Sequence, residues 1–197
     1  SFFLSGIGIV LLLVLAAEFV NGWTDAPNAI ATVVSTKSLS PKTAVLMASL
    51  FNILGAISGT AVATTIGKGI ISSEAINLAT VGAAMIAIVV WSTIAWRFGL
   101  PTSESHALIA GLSGAGLAIA GPSVLLWDGW QKVLIGLLFS TLLGLGGAFF
   151  IVKLIKKLFA NVNPGRTRSF FIKLQIFSAS LMALAHGSND GQKFMGV

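Results

Sequence analysis

The sequence predicts an all-α, polytopic membrane protein whose spanning helices are broken in places by polar clusters. Three observations carry this. Hydrophobic residues make up 55% of the 197 and charged residues only 9%, and mean hydropathy is +0.94; a soluble domain carries about 25% charged residues. The apolar residues fall in runs that are individually long enough to cross a bilayer, which takes about 20 residues. Polar residues collect in short clusters inside or between those runs, led by NGWTDAPNAI at residues 21–30.

Spans are expected over Leu4–Thr36 (interrupted at that cluster), Thr43–Ile66, Ala75–Trp96, Val133–Val152 and from Phe170 onward. Pro101–Gly121 is a further apolar segment, read as one that dips into the membrane as a re-entrant hairpin. Residues 98–128 hold the ambiguity in crossing number, and the relative direction of the two halves depends on it. Five or six apolar segments joined by short loops leave no room for a soluble domain.

The first run, Phe2–Phe19, lacks a basic leader and a clear small-residue cleavage site, so it is read as a retained span. A start at Ser1 reads as a trimmed or partial chain. The run then meets Asp25, and an Asp at a helix centre in hydrocarbon costs about 2.5–3.5 kcal/mol on insertion scales. Asp25 therefore requires partners or a watery cavity, unless it is simply a locally satisfied cap. Pro27 disfavours helical geometry at Ala26 and has no N–H, so the helix is expected to break and restart. Asp25 would be the N-cap of the new half-helix with Pro27 in its first turn. Asn21, Thr24 and Asn28 would then point into a cavity of the kind that discontinuous helices build in transporters. Glu18, in the same span, is expected to face a polar partner within the bundle.

In the second span, Gly55 and Gly59 have GxxxG spacing and predict a close helix contact. Gly67-Lys68 is followed by Gly69 and fails the phosphate-loop pattern. GLSGAG at 111–116 does not match a dinucleotide fingerprint. Trp91, Trp96, Trp127 and Trp130 flank spans and fit interfacial belts.

PTSESH at 101–106 is a strong helix-start signature ahead of an apolar run. Its hydroxyls and first-turn N–H groups would meet an oxyanion at the positive end of a helix dipole; an ordinary capped surface helix is the plainer reading. His106 alone weighs little. The formal charge of +6 is concentrated: Lys153, Lys156, Lys157, Arg166, Arg168 and Lys173 lie between two spans with no acid among them. That loop is expected on the cytoplasmic side, against anionic lipid and not nucleic acid. Asn, Pro and Gly in 161–169 mark a linker. There is no Cys, hence no disulfide or thiolate chemistry.

HGSNDGQK at 186–193 superposes on NGWTDAPN at 21–28, aligning Gly22 with Gly187 and Asp25 with Asp190. The second stretch reads as the opening of another repeat. The chain thus divides into a first repeat over 1–160, a cytoplasmic linker over 161–169 and the start of a second repeat over 170–197. Helix N-termini rich in hydroxyls attract an anion while Asp25 and Asp190 repel it. A cation or proton between carboxylate and anion resolves the conflict, which is a physical basis for cation-coupled anion symport.

These residues resemble the inorganic phosphate transporter (PiT) family. Its G-x-N-D-x-x-N-A signature, present once in each half, reads GWTDAPNA here, with Thr24 in place of Asn, and GSNDGQKFMG, with Lys193 where Asn28 stands in the first copy. Its P-[ST]-S-x-S-H hairpin reads PTSESH. The resemblance covers the whole chain as a first half and the start of a second. It implies two inverted repeats that move phosphate with sodium or protons by alternating access, in the plasma (inner) membrane, as a transporter and not an enzyme. It implies that Asp25, Asn28, Asp190 and Gln192, with Thr102, Ser103 and Ser105, hold phosphate. Asp25, Asn28, Asn189 and Asp190 would hold sodium, and Glu104, His106 and Lys193 are secondary candidates. Lys193 could pair with Asp190 or touch the anion. Sodium or a proton is the coupling ion, no organic cofactor is implied, and the partners are phosphate, sodium, membrane lipid and a second copy in a homodimer.

Two rival readings were weighed. A sulfate permease is the nearest, but phosphate near neutral pH carries a proton that a carboxylate can accept, and sulfate does not. An intramembrane aspartyl protease would also need two aspartates sharing a proton, but Asp190 follows Asn189 instead of the Gly of a G-x-G-D motif.

Overall fold

The computed structural model describes residues 5–59 and 69–196. Seven α-helices are described: α1 (Gly6–Thr24), α2 (Ala31–Ser35), α3 (Pro41–Ala56), α4 (Leu78–Arg97), α5 (Glu104–Ala120), α6 (Trp127–Phe159) and α7 (Pro164–His186). Among the described residues there is no strand, only an isolated antiparallel bridge between Ile71 and Leu125. The end of the expected span 43–66 lies outside the described residues, as does the Gly67-Lys68 pair.

Local sequence explains where the helices start. Ser5, Ser40, Asn77, Ser103 and Asn163 are N-caps whose side chains accept backbone N–H bonds, and Pro41 and Pro164 follow two of them. Pro in the first turn loses nothing, because that N–H has no helical partner. α7 thus begins at Pro164, so residues 164–169 of the expected linker are helical and only about four residues connect α6 to α7.

α4 and α5 form an antiparallel hairpin. Ser92 meets Glu104 and Trp91 meets Thr102 near the turn, and Ala84 packs on Gly111 further along. α5 therefore returns the chain to the end where α4 began, where Leu126 donates its backbone N–H to Ile70. The segment Pro101–Gly121, expected to dip in alone, is the returning arm of a two-helix hairpin. α1 lies parallel to α4, since Gly6 meets Leu78 and Gly82 meets Val10. Their shared core includes Ala17, Val81, Ala84, Met85, Ile88, Leu108 and Leu112.

A second core joins α2, α3 and α7 through Val33, Ala44, Ala48, Ala179 and Ala183. Here α3 and α7 approach backbone to backbone. A Cβ on Gly55 would strike Leu184 O, and one on Gly187 would strike Asn52 O. Gly59 faces Gln192 on the same neighbour, so the GxxxG pair marks the helix contact its spacing predicts.

The motif-bearing helices run in opposite directions. Lys193 reaches back to Asn21 of α1, whereas Thr36 and Ser38, after α2, bond Gln175 of α7. As residue numbers rise on one path they fall on the other, which is the geometry of an inverted repeat. α6, 33 residues long and so about 50 Å at 1.5 Å per residue, carries the chain between the two ends. Its first turn abuts Gly69, its last turn places Phe159 against Phe170 and Phe171, and nearly all of it is exposed. Trp127 lies exposed at its start, whereas Trp130 is half-buried and packs on the first core.

Candidate functional site

α1 ends where its sequence stops supplying helical donors. Asp25 donates its backbone N–H to Asn21 O, and Pro27 cannot donate at all; residues Ala26–Ala29 then form a single 3-10 turn before α2. Asp25 takes the N-cap position expected of it, but its side chain makes no capping bond. The carboxylate instead turns toward α7, where oxygens of Asp25 and Asp190 and a ring nitrogen of His186 all lie within 4.8 Å of one another. Such a set could hold a cation.

α7 opens differently. Residues Gly187–Gly191 form a π-turn, a wide turn that frees backbone groups and is frequent at functional sites. Inside it, Asp190 is surrounded by donors. Its Oδ1 accepts from Ser105 Oγ at 3.3 Å and pairs with Lys193 Nζ at 3.3 Å. Its Oδ2 lies 3.3 Å from His186 Nε2, without hydrogen-bond alignment. His186 is held from the other side by Asn52, 2.6 Å from Nδ1.

Lys193 is 1% exposed. Besides Asp190, its ammonium faces Asn21 Oδ1 at 3.4 Å and Ser105 Oγ at 3.5 Å, with the Phe194 ring 5.2 Å away. Glu104 is fully buried at the start of α5. It accepts from Ser92 Oγ at 2.7 Å and from Thr24 Oγ1 at 3.2 Å, which pins the hairpin turn to the end of α1. Glu18 borders a cavity of about 380 Å³ together with Asn21, Pro27, Ser49, Asn52 and His186. Its Oε2 is buried with no hydrogen-bond partner among the described residues.

The expected site residues thus divide. Asp25, Ser105, Asp190 and Lys193 converge, and Gln192 is buried beside them in the sequence of the same turn. Thr102 and Ser103 line a separate groove between α4 and α5 with His106. Thr102 accepts from Trp91 Nε1 at 2.9 Å and Ser103 caps α5. Asn28 and Asn189 are exposed, and Asn189 donates back to Ala185 O at 2.9 Å. Sequence reasoning did not single out His186, Asn52 or Ser49. Only His186 had a signal, as the residue preceding the second Gly-x-x-Asp.

Among the described residues, four helices are long and apolar enough to cross a membrane: Gly6–Ala29, Leu78–Arg97, Trp127–Phe159 and Pro164–Gly191. With the family evidence that follows, they make this a multi-pass protein of the cell membrane. A relative from Bacillus subtilis (strain 168), named "Probable low-affinity inorganic phosphate transporter", is 37% identical over 191 residues, covering 96% of this chain and 57% of that protein. A protein of the same name from Rhizobium meliloti (strain 1021) is 41% identical over 189 residues, covering 95% of this chain and 57% of that protein. The chain therefore spans little more than half the length of these relatives. A solved structure titled "The sodium-dependent phosphate transporter" has the same fold, with a TM-score of 0.80 at 22% identity over 95% of this chain and 65% of that one. The sequence also matches the profile described as PHO4, Phosphate transporter family, over residues 21–197. By that match and by these identities, the chain belongs to the phosphate transporter family.

Proposed function

We propose that this chain carries the substrate site of a cation-coupled symporter that takes up inorganic phosphate by alternating access, with sodium as the driving ion. The observation that carries the reading is the charge at the meeting point of the two inverted breaks. Four of the six acidic residues of the protein, Glu18, Asp25, Glu104 and Asp190, gather there around one lysine. A site with that excess of carboxylates admits an anion only together with cations or protons, so binding of one requires binding of the other. The names of the relatives and of the solved structure supply phosphate and sodium.

In this reading Asp25 and Asp190 hold sodium, with Asn28 and Asn189 joining them in another conformation of the cycle. Ser105, Gln192 and the Thr102 and Ser103 hydroxyls take phosphate oxygens at the hairpin turn. Antiparallel motif helices let one repeat rock against the other about a fixed site. The α6–α7 junction, with its six basic residues, shares an end with Lys37 and Lys42, because Thr36 and Ser38 bond Gln175. Glu74 and Asp128 lie at the other end, where residues 70–72 meet 124–126. The basic end faces the cytoplasm by the positive-inside rule.

One observation favours a proton-driven variant of the same function: His186, a titratable ring, sits against Asp190 Oδ2. Radiolabelled phosphate uptake into proteoliposomes, with an imposed sodium gradient, a proton gradient or neither and with sulfate as competitor, separates the readings. Uptake that requires sodium and ignores sulfate is the expected result. Uptake driven by protons alone reassigns the ion, and uptake blocked by sulfate reassigns the anion.

A further inference from the structure

The two motifs differ at one position that the fold places in the middle of the site. The first reads Asp25-x-x-Asn28 and the second Asp190-x-x-Lys193, so an ammonium stands where the repeat has a neutral side-chain ligand. We propose that the Lys193 ammonium is a tethered cation that fills the cation position beside Asp190, leaving the first motif alone to recruit a mobile coupling ion. This inference rests on the cation-coupled reading above and refines its ion count.

The surroundings of Lys193 Nζ are those of a small monovalent cation. Oxygens from three separate elements face it: Asp190 from the π-turn at 3.3 Å, Asn21 from α1 at 3.4 Å and Ser105 from α5 at 3.5 Å. An ammonium has three N–H donors and no acceptor, so three oxygens use all of them. That leaves no donor for a phosphate oxygen, and the side chain is 1% exposed, which separates this role from direct anion binding. The Phe194 ring closes a further side at 5.2 Å, within the range of cation–π attraction. A buried charge of this kind is tolerated only when paired and hydrogen-bonded, and Lys193 is both.

The other motif shows the contrast. Among the described residues no cationic side chain lies within ion-pair distance of Asp25, and Asn28, the counterpart of Lys193, is exposed. The Asp25 carboxylate faces the His186 ring and the Asp190 carboxylate across a space whose bounding atoms lie within 4.8 Å of one another, and Lys193 makes its ion pair with Asp190 through Oδ1 and none with Asp25. The mobile ion belongs in that space. Fixing the second cation to the chain lowers the number of ions moved per phosphate by one, and with it the concentrative power of the transporter.

The test measures ion flux and phosphate flux together in proteoliposomes containing the full-length transporter, for wild type, Lys193→Asn and Lys193→Arg. Lys193→Asn restores the D-x-x-N pattern and should raise the cation-to-phosphate ratio by one, with a steeper dependence on cation concentration. Lys193→Arg should hold the wild-type ratio at reduced rate. A Lys193→Asn protein that transports at the wild-type ratio with weakened phosphate affinity overturns the proposal in favour of an anion contact. If Lys193→Asn is inactive in transport, its sodium count decides: one ion more than wild type supports the tethered cation, and an unchanged count overturns it. Sodium binding to detergent-purified protein without phosphate, counted by calorimetric titration, should likewise rise by one ion per chain in Lys193→Asn. A wild type that moves no phosphate would sink the functional reading, while that binding count would still judge Lys193.

Discussion

The two helix breaks carry the same motif and open by different physics. At Asp25 the break is covalent in origin: Pro27 removes a donor, and the chain passes through a single 3-10 turn before resuming as α2. At Asp190 there is no proline. The helix widens into a π-turn where Gly187 and Gly191 press on α3, Gly187 on Asn52 and Gly191 on Ala56. The first break is written into one residue, whereas the second depends on a neighbour lying close enough to hold the wide turn. Their charges differ in the same sense, since Asp190 is matched by Lys193 and Ser105, whereas Asp25 meets the backbone N–H of Glu104 and, among the described residues, no cationic side chain within ion-pair distance.

This contrast makes the second break the more fragile. Gly187→Val places a branched side chain where only backbone fits and should cost at least about 3 kcal/mol. The expected outcome is loss of a monodisperse peak on size-exclusion chromatography in detergent, or a lowered thermal midpoint. A wild-type midpoint would mean that α3 and α7 are not in backbone contact. At the first break the largest effect falls on transport. Asp25→Asn keeps the shape and removes the charge, so cation-dependent phosphate uptake should be abolished while membrane insertion and thermal stability stay near wild type. Unchanged cation dependence would take Asp25 out of the mechanism.

Glu104→Gln sharpens the comparison, because Glu104 ties the hairpin to α1 only. Gln keeps a single acceptor oxygen and sets an NH2 donor against the other hydroxyl, so one of the bonds from Thr24 and Ser92 is lost, at about 1–3 kcal/mol in a buried setting. Reduced thermal stability with a correctly placed second break, read by crosslinking Cys pairs engineered across α3 and α7, is the expected result. The smallest effect is expected of Pro27→Ala, which returns a donor to the break. Stability should change by less than about 1 kcal/mol, while uptake falls as the 3-10 turn gains helix. If uptake holds at the wild-type rate, the shape of the first break is not set by its proline.

Much of this was legible in the residues. Ser103 ahead of Glu104 marked the start of α5, Asp25 and Pro27 marked the break in α1, and Gly55 and Gly59 marked a helix contact. Each of these is a local property of caps, missing donors or absent side chains. Asp25 takes the cap position but makes no capping bond, as expected of a carboxylate that needs partners elsewhere: it meets the backbone N–H of Glu104 and faces His186 and Asp190 across the site. The grouping of the PTSESH hydroxyls went beyond what the sequence can say. Ser105 points to Asp190 and Lys193 while Thr102 meets Trp91, since neighbouring residues on one helix start face different partners.

By itself, then, the sequence determined a helical membrane protein, the places where its helices start and break, and the carboxylates that hydrocarbon would not tolerate alone. Hydropathy, capping and proline act within a few residues, so they can be read along the chain. The tertiary structure decided that α1 and α7 run antiparallel, that α5 returns along α4, and that His186, Asn52 and Lys193 join the aspartates. Most of these depend on contacts between residues far apart in the chain, 134 positions for His186 and Asn52 and 172 for Lys193 and Asn21, and no local pattern specifies which distant helix will supply them.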